Sequence, residues 1–165
     1  MSDVINIIKE RNVKWGILIS ALVTTTFYVI ISIISIIVGF IIYTGFTLFA
    51  DLEFLLGSII GVLYFFKNRE AHQELLKYGV IVGIFGGLLA CIFISIYQTP
   101  LAMIFSGAPL TVFFLYVGFT FLSGAVIGLL TGAFIAVYYV YKETRGEKVG
   151  KEHFDDDFFE DLIDK

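Results

Sequence analysis

A bundle of four membrane-spanning α-helices with glycine-mediated packing, built as two tandem helical hairpins, is the fold class that the sequence predicts. Three observations predict it: the apolar composition, the long uncharged runs, and small residues that recur every four positions. Hydrophobic residues make up 58% of the 165-residue chain and charged ones only 16%, and the mean hydropathy is +0.92. Three uncharged runs, Trp15 to Ala50 (36 residues), Phe54 to Phe66 (13) and Tyr78 to Tyr141 (64), hold 113 residues. A run of about 18 or more apolar residues is long enough to cross the hydrocarbon. An ordinary water-soluble domain is excluded.

A helix rises about 1.5 Å per residue and the apolar slab is roughly 30 Å thick, so about 20 residues cross it. The longest run must hold two crossings, divided at Gln98-Thr99-Pro100, because proline lacks an N–H and disfavours helix at the residue before it. The spans expected are 15–43, 50–67, 78–97 and 111–141. A cytoplasmic segment, 1–14, precedes this transmembrane unit (15–141), and an acidic tail, 142–165, follows it. Lys9, Arg11 and Lys14 lead into an apolar stretch too long for a signal-peptide core, so a retained first helix is expected. Before it, Val4, Ile5, Ile7 and Ile8 suggest a brief interfacial helix.

The basic residues set the orientation. They cluster before the first span, in the loop after the second (Lys67, Arg69, Lys77) and after the fourth (Lys142, Arg145, Lys148, Lys151), and the other two loops carry none. By the positive-inside rule the protein lies in the cell membrane with both termini and the central loop cytoplasmic.

The chain also matches itself. Phe54 to Leu63 and Phe121 to Leu130 share six of ten residues, and Lys14-Trp15-Gly16 matches Lys77-Tyr78-Gly79. Two readings stay open: a duplicated hairpin, and coincidence in an alphabet rich in Gly, Ile and Leu. A duplication would be a parallel repeat with a pseudo-two-fold axis along the membrane normal.

Small residues stripe every helix: Gly16, Ser20, Thr24 and Ser32; Gly57 and Gly61; Gly79, Gly83 and Gly87; Gly124, Gly128 and Gly132. Residues four apart share a face, and a small face lets another backbone come close where lipid offers little hydrophobic gain for association. Packing within the chain is the first reading of these glycines, a seam between copies in a homo-oligomer the second, and a solute groove the third. Thr24, Thr25, Thr26, Ser32 and Ser35 make the first span the most polar. Their plain role is to bond the carbonyl one turn back, and Tyr28, in the row of Thr24 and Ser32, is the residue a polar path would use.

Asp51 and Glu53 are the acids nearest the membrane and are expected at the outer rim, capping the second helix through its dipole or meeting a cation or partner there. Catalytic and cofactor sites are not expected, since no nucleophile, base and orienter share a sector and no phosphate loop occurs. The single Cys91 and the two isolated histidines, His72 and His153, give no metal-ligand spacing. The basic residues are explained by topology and the net charge is -4, so nucleic acid is not an expected partner. The acidic tail reads most plainly as solvated and disordered. As a helix it would put Phe154, Phe158 and Leu162 on one face, an apolar stripe that could bind a cytoplasmic protein.

At Gly79 to Leu89 (GVIVGIFGGLL) and Phe121 to Gly132 (FLSGAVIGLLTG) the chain resembles small four-helix integral membrane proteins of archaea grouped as domains of unknown function. The similarity covers most of residues 14–141. It implies a membrane location and a four-helix layout and carries no activity or site residues. Two functions are therefore weighed: a non-enzymatic scaffold or assembly subunit, and a small pore or carrier for uncharged or lipidic solutes.

In a Cys91→Ala background, cysteines placed at Thr47 and Gly107 should react with an impermeant thiol reagent in intact cells, and one placed at Glu74 should not. Labelling of Glu74→Cys from outside would overturn the topology.

Overall fold

The computed structural model describes the backbone of residues 2–37, 48–70, 73–106 and 110–163, and the side chains of residues 4–34, 52–70, 73–98, 114–115 and 117–145. Among these residues the fold is all-helical: α1 (Ser2–Lys9), α2 (Arg11–Ile37), α3 (Leu48–Lys67), α4 (Leu75–Ser106) and α5 (Leu110–Ile163). Stretches of α2 (Arg11–Ile34), α4 (Leu75–Gln98) and α5 (Val117–Arg145) are long and apolar enough to cross a bilayer.

A helix forms where the interfacial one is expected: α1, whose Ile7 is buried against the main bundle while Ile5 stays exposed. The first expected span starts earlier than its uncharged run, at Arg11, and its last residues, 38–43, lie outside the described residues. The second matches α3 to within two residues. Two expected boundaries are corrected. The third helix does not end at 97: α4 continues through Pro100 to Ser106. Proline removes only its own N–H, so one gap in the hydrogen-bond ladder need not end the helix. Likewise the fourth does not end at 141, and the tail is not a separate disordered segment, because α5 runs unbroken to Ile163. Residues 142–163 are rich in Lys and Glu, which favour helix, and Glu147 stands four positions before Lys151, the stabilising order for such a pair.

Two antiparallel hairpins form the body. In the first, α2 packs on α3: a Cβ added at Gly61 would meet the carbonyl oxygen of Gly16 at 2.6 Å and the Cβ of Ser20 at 2.5 Å, and one at Gly57 would meet the Ser20 carbonyl at 2.7 Å. In the second, α4 and α5 meet as reciprocal pairs, Gly79 with Gly132, Gly83 with Gly128 and Gly87 with Gly124. At Gly83 and Gly128 an added Cβ would lie inside 3.0 Å of the partner's carbonyl oxygen, a separation real Cβ atoms essentially never show. The residues that match in sequence make matching contacts: Gly57 and Gly124 face Thr24 and Gly87, while Gly61 and Gly128 face Ser20 and Gly83.

The hairpins lie side by side. Gly16 and Gly86 of the two rising helices approach Val82 and Ser20 respectively, so α2 runs parallel to α4. Gly124 approaches Phe54 and the rings of Phe66 and Tyr139 stack at 4.6 Å, so α3 runs parallel to α5. Helices α3 and α4 also touch, whereas α2 and α5 do not among the described residues. This corrects the expected two-fold axis. Such an axis would turn the α3·α4 contact into an equal α2·α5 contact, and the arrangement seen is instead close to a sideways translation of one hairpin beside the other.

Two apolar clusters fill the body. One lies near the α1 end, around Val13, Val62, Phe65, Tyr78 and Val82, and the other toward the opposite end, around Tyr28, Phe54, Cys91 and Ile94. Leucine at position 128 should therefore force α4 and α5 apart and cost about 3 kcal/mol or more, whereas Gly118→Leu, with nothing within 4 Å of its Cβ position, should be neutral. Equilibrium unfolding in mixed micelles measures both, and Gly128→Leu should exceed the cavity mutant Leu89→Ala.

Candidate functional site

Three regions could carry function: the small-residue seams, a polar cluster at the α1 end, and the buried acid Glu53. In the seams, Gly57 and Gly61 face α2, Gly79, Gly83 and Gly87 face α5, and Gly124, Gly128 and Gly132 face α4. These faces are occupied within the chain. A seam between copies would have to use other residues, and a solute groove has no room between α4 and α5 where their backbones meet. Sequence reading missed Gly86, which falls outside the four-residue stripe of α4. A Cβ there would come 2.5 Å from the Ser20 hydroxyl, so Gly86 sets the approach of α4 to α2.

Along α2 the small polar row is buried: Ser20 and Thr24 are fully enclosed, and Tyr28 and Ser32 nearly so. The Thr24 hydroxyl donates to the Ser20 carbonyl at 2.9 Å and the Thr25 hydroxyl to the Ala21 carbonyl at 2.8 Å. Both are bonds one turn back along the same helix, the arrangement that satisfies a hydroxyl without a solute. Tyr28 packs edge-on against Tyr97, with ring centroids 6.3 Å apart.

The cluster at the α1 end involves residues that no motif marked. Gln73, in the short connection between α3 and α4, is 2% exposed. Its amide donates to Glu10 and, at 3.0 Å, to the Asn12 side-chain oxygen, while its own oxygen accepts from the Asn12 amide at 2.6 Å and the Glu70 backbone N–H at 2.9 Å. Tyr78 donates to the other oxygen of Glu10 at 2.8 Å. Gln73 thus ties the α1–α2 junction to the α3–α4 connection. Beside it Arg69 pairs with Glu143 at 2.8 Å, joining that connection to α5. This pair is solvent-accessible and contributes little to stability, and it lies at the same end of the bundle as the α1–α2 junction. A lone Gln in a polar loop gives no sequence signal, because its role depends on which loops meet.

Glu53 departs from expectation. Helix α3 begins at Leu48, so Glu53 lies beyond the first turn, and it shares a face with Gly57 and Gly61 rather than standing at a helix tip. It is 2% exposed, and its Oε2 has no hydrogen-bond partner among the described residues; the hydroxyls of Ser20 and Ser58 are likewise buried without one. The rim position expected for Glu53 is therefore corrected to a buried one. The side chain of Asp51 lies outside the described residues, as do those of Phe154, Phe158 and Leu162, whose positions share one face of the α5 backbone.

Among the described residues no three His, Cys, Asp or Glu side chains are grouped to hold a metal. Cys91 is buried and donates to the Thr120 carbonyl at 3.2 Å. No protein-family model, curated protein or solved structure matches the chain.

Replacing Gln73 by Leu removes an enclosed hub and breaks its hydrogen bonds to Glu10, Asn12 and the Glu70 backbone N–H. Unfolding stability should fall by about 2 to 3 kcal/mol, whereas Arg69→Ala should change it by less than about 1 kcal/mol.

Proposed function

We propose that the protein is a non-enzymatic scaffold or assembly subunit of the cell membrane. Its body crosses the bilayer four times, with α3 as the remaining crossing and both termini cytoplasmic, and close glycine contacts hold the helices together. The observation that carries this reading is the continuity of α5. At about 1.5 Å per residue, residues 142–163 extend the helix some 33 Å past Tyr141, the end of the last uncharged run. A helix anchored in a tightly packed body and projecting that far is suited to hold a partner at a fixed distance from the membrane.

The projecting segment has the chemistry of a docking helix. Phe154, Phe158 and Leu162 recur at a spacing of four among acids that anionic lipid would repel, which favours a cytoplasmic protein with an apolar groove and a basic rim over the bilayer surface. The occupied seams fit a structural role better than a solute path between the helices. A small pore or carrier for uncharged or lipidic solutes is the second reading, supported by the buried row Ser20, Thr24, Tyr28 and Ser32. The backward hydroxyl bonds and the close α2·α3 contact count against it.

Apolar anchors should carry most of the affinity, and the surrounding charges mainly the association rate. Changing Phe154, Phe158 and Leu162 together to Ala should abolish capture of a stoichiometric cytoplasmic protein from native membranes. Neutralising Asp155, Asp156 and Asp157 should weaken capture only as salt rises. A tail deletable without change in any co-purifying protein, or solute uptake into liposomes that is lost on Thr24→Val or Tyr28→Phe, would overturn the proposal.

A further inference from the structure

Glu53 is a carboxyl enclosed in the outer half of the bundle, and among the described residues around it no cation balances a negative charge. Across the seam, α2 presents Thr24, whose hydroxyl is committed to the Ser20 carbonyl, and Tyr28. The titratable groups in the cluster around the adjacent Phe54 are Tyr28 and Cys91, with Tyr97 at its edge. Helix α5, where it meets Phe54 at Gly124, brings no ionisable residue, and no Lys, Arg or His occurs in the uncharged runs of α2, α4 or α5. Asp51 is the one acid nearby on the same helix. A carboxylate buried without a cation or a set of donors is costly enough that the group takes up a proton instead. Monovalent cations need a cage of several oxygens. Here the facing helices supply no second charged ligand, and the Thr24 hydroxyl offers only its lone pairs.

We infer that Glu53 is a membrane-embedded proton-binding site, neutral in the closed bundle and exchanging its proton with the outer aqueous phase as the α2·α3 seam opens. The inference rests on α3 crossing the bilayer and is independent of the scaffold role. It adds a ligand, the proton, to a residue that a purely structural reading leaves unused. Loss of that proton places an unpaired charge between Gly57 and the outer end of the seam, so deprotonation opposes closure of α2 on α3.

The test uses the full-length protein in proteoliposomes and dicyclohexylcarbodiimide, an apolar reagent that adds the protonated carboxyl O–H across its C=N bond and rearranges to a stable acylurea without a leaving group. Peptide mass mapping should find the adduct on Glu53. Its rate should fall roughly tenfold per pH unit on the alkaline limb, as expected for one proton, and should not respond to sodium at constant ionic strength. Wild type should lose thermal stability as pH rises, and Glu53→Gln, isosteric with the neutral acid, should fold, lose the adduct and abolish that alkaline loss. An adduct on Asp51 alone, labelling of Glu53 that rises with pH, protection by sodium, or an unfolded Glu53→Gln would each overturn the assignment. Reaction of Glu53→Cys, in the Cys91→Ala background, with an impermeant thiol reagent would overturn it by showing that this turn of α3 is not enclosed. That outcome is distinct from failure of the tail experiment.

Discussion

Where α4 and α5 meet at Gly83 and Gly128, the carbonyl oxygen of each backbone occupies the space a side chain on the other would need, and this contact fixes how everything else can pack. In water, burial of apolar surface would reward many arrangements of such helices. In lipid the reward nearly vanishes, and association depends on close van der Waals contact and on polar pairs. Glycine supplies the first by removing the obstacle. With α4 held against α5 along three paired positions, its next face, at Gly86, is turned toward Ser20 of α2, and the second hairpin is placed beside the first.

The two hairpins solve the same problem with different residues. Gly83 and Gly87 in the second correspond to Ser20 and Thr24 in the first. The first seam is therefore lined by hydroxyls and bordered by a buried acid, while the second is backbone against backbone. Polarity in the body is thus concentrated on one side. The proposed proton site lies in the seam that has chemistry to spare, and the rigid seam carries the long α5 toward the proposed partner.

At the α1 end the connections are locked by side-chain amides rather than by charge. Gln73 satisfies Glu10, Asn12 and the Glu70 backbone together, and the stacked rings of Phe65 and Tyr78, 5.9 Å apart, seal the apolar side of that lock.

Hydropathy and the helical class were legible in the sequence, because each follows from local rules: a run's length against the slab and a charge's cost in hydrocarbon. The boundaries at Pro100 and Tyr141 were misread, since one missing N–H need not end a helix and the Lys- and Glu-rich segment after Tyr141 favours helix in its own right. Whether α2 and α5 touch, that Gln73 is a hub, that Gly86 rather than another glycine meets α2, and that Glu53 turns inward instead of capping a rim were decided only by the tertiary structure. Each depends on which faces of separate helices come together, and that is set by contacts between residues distant in the chain, whose individual types carry no record of their partners.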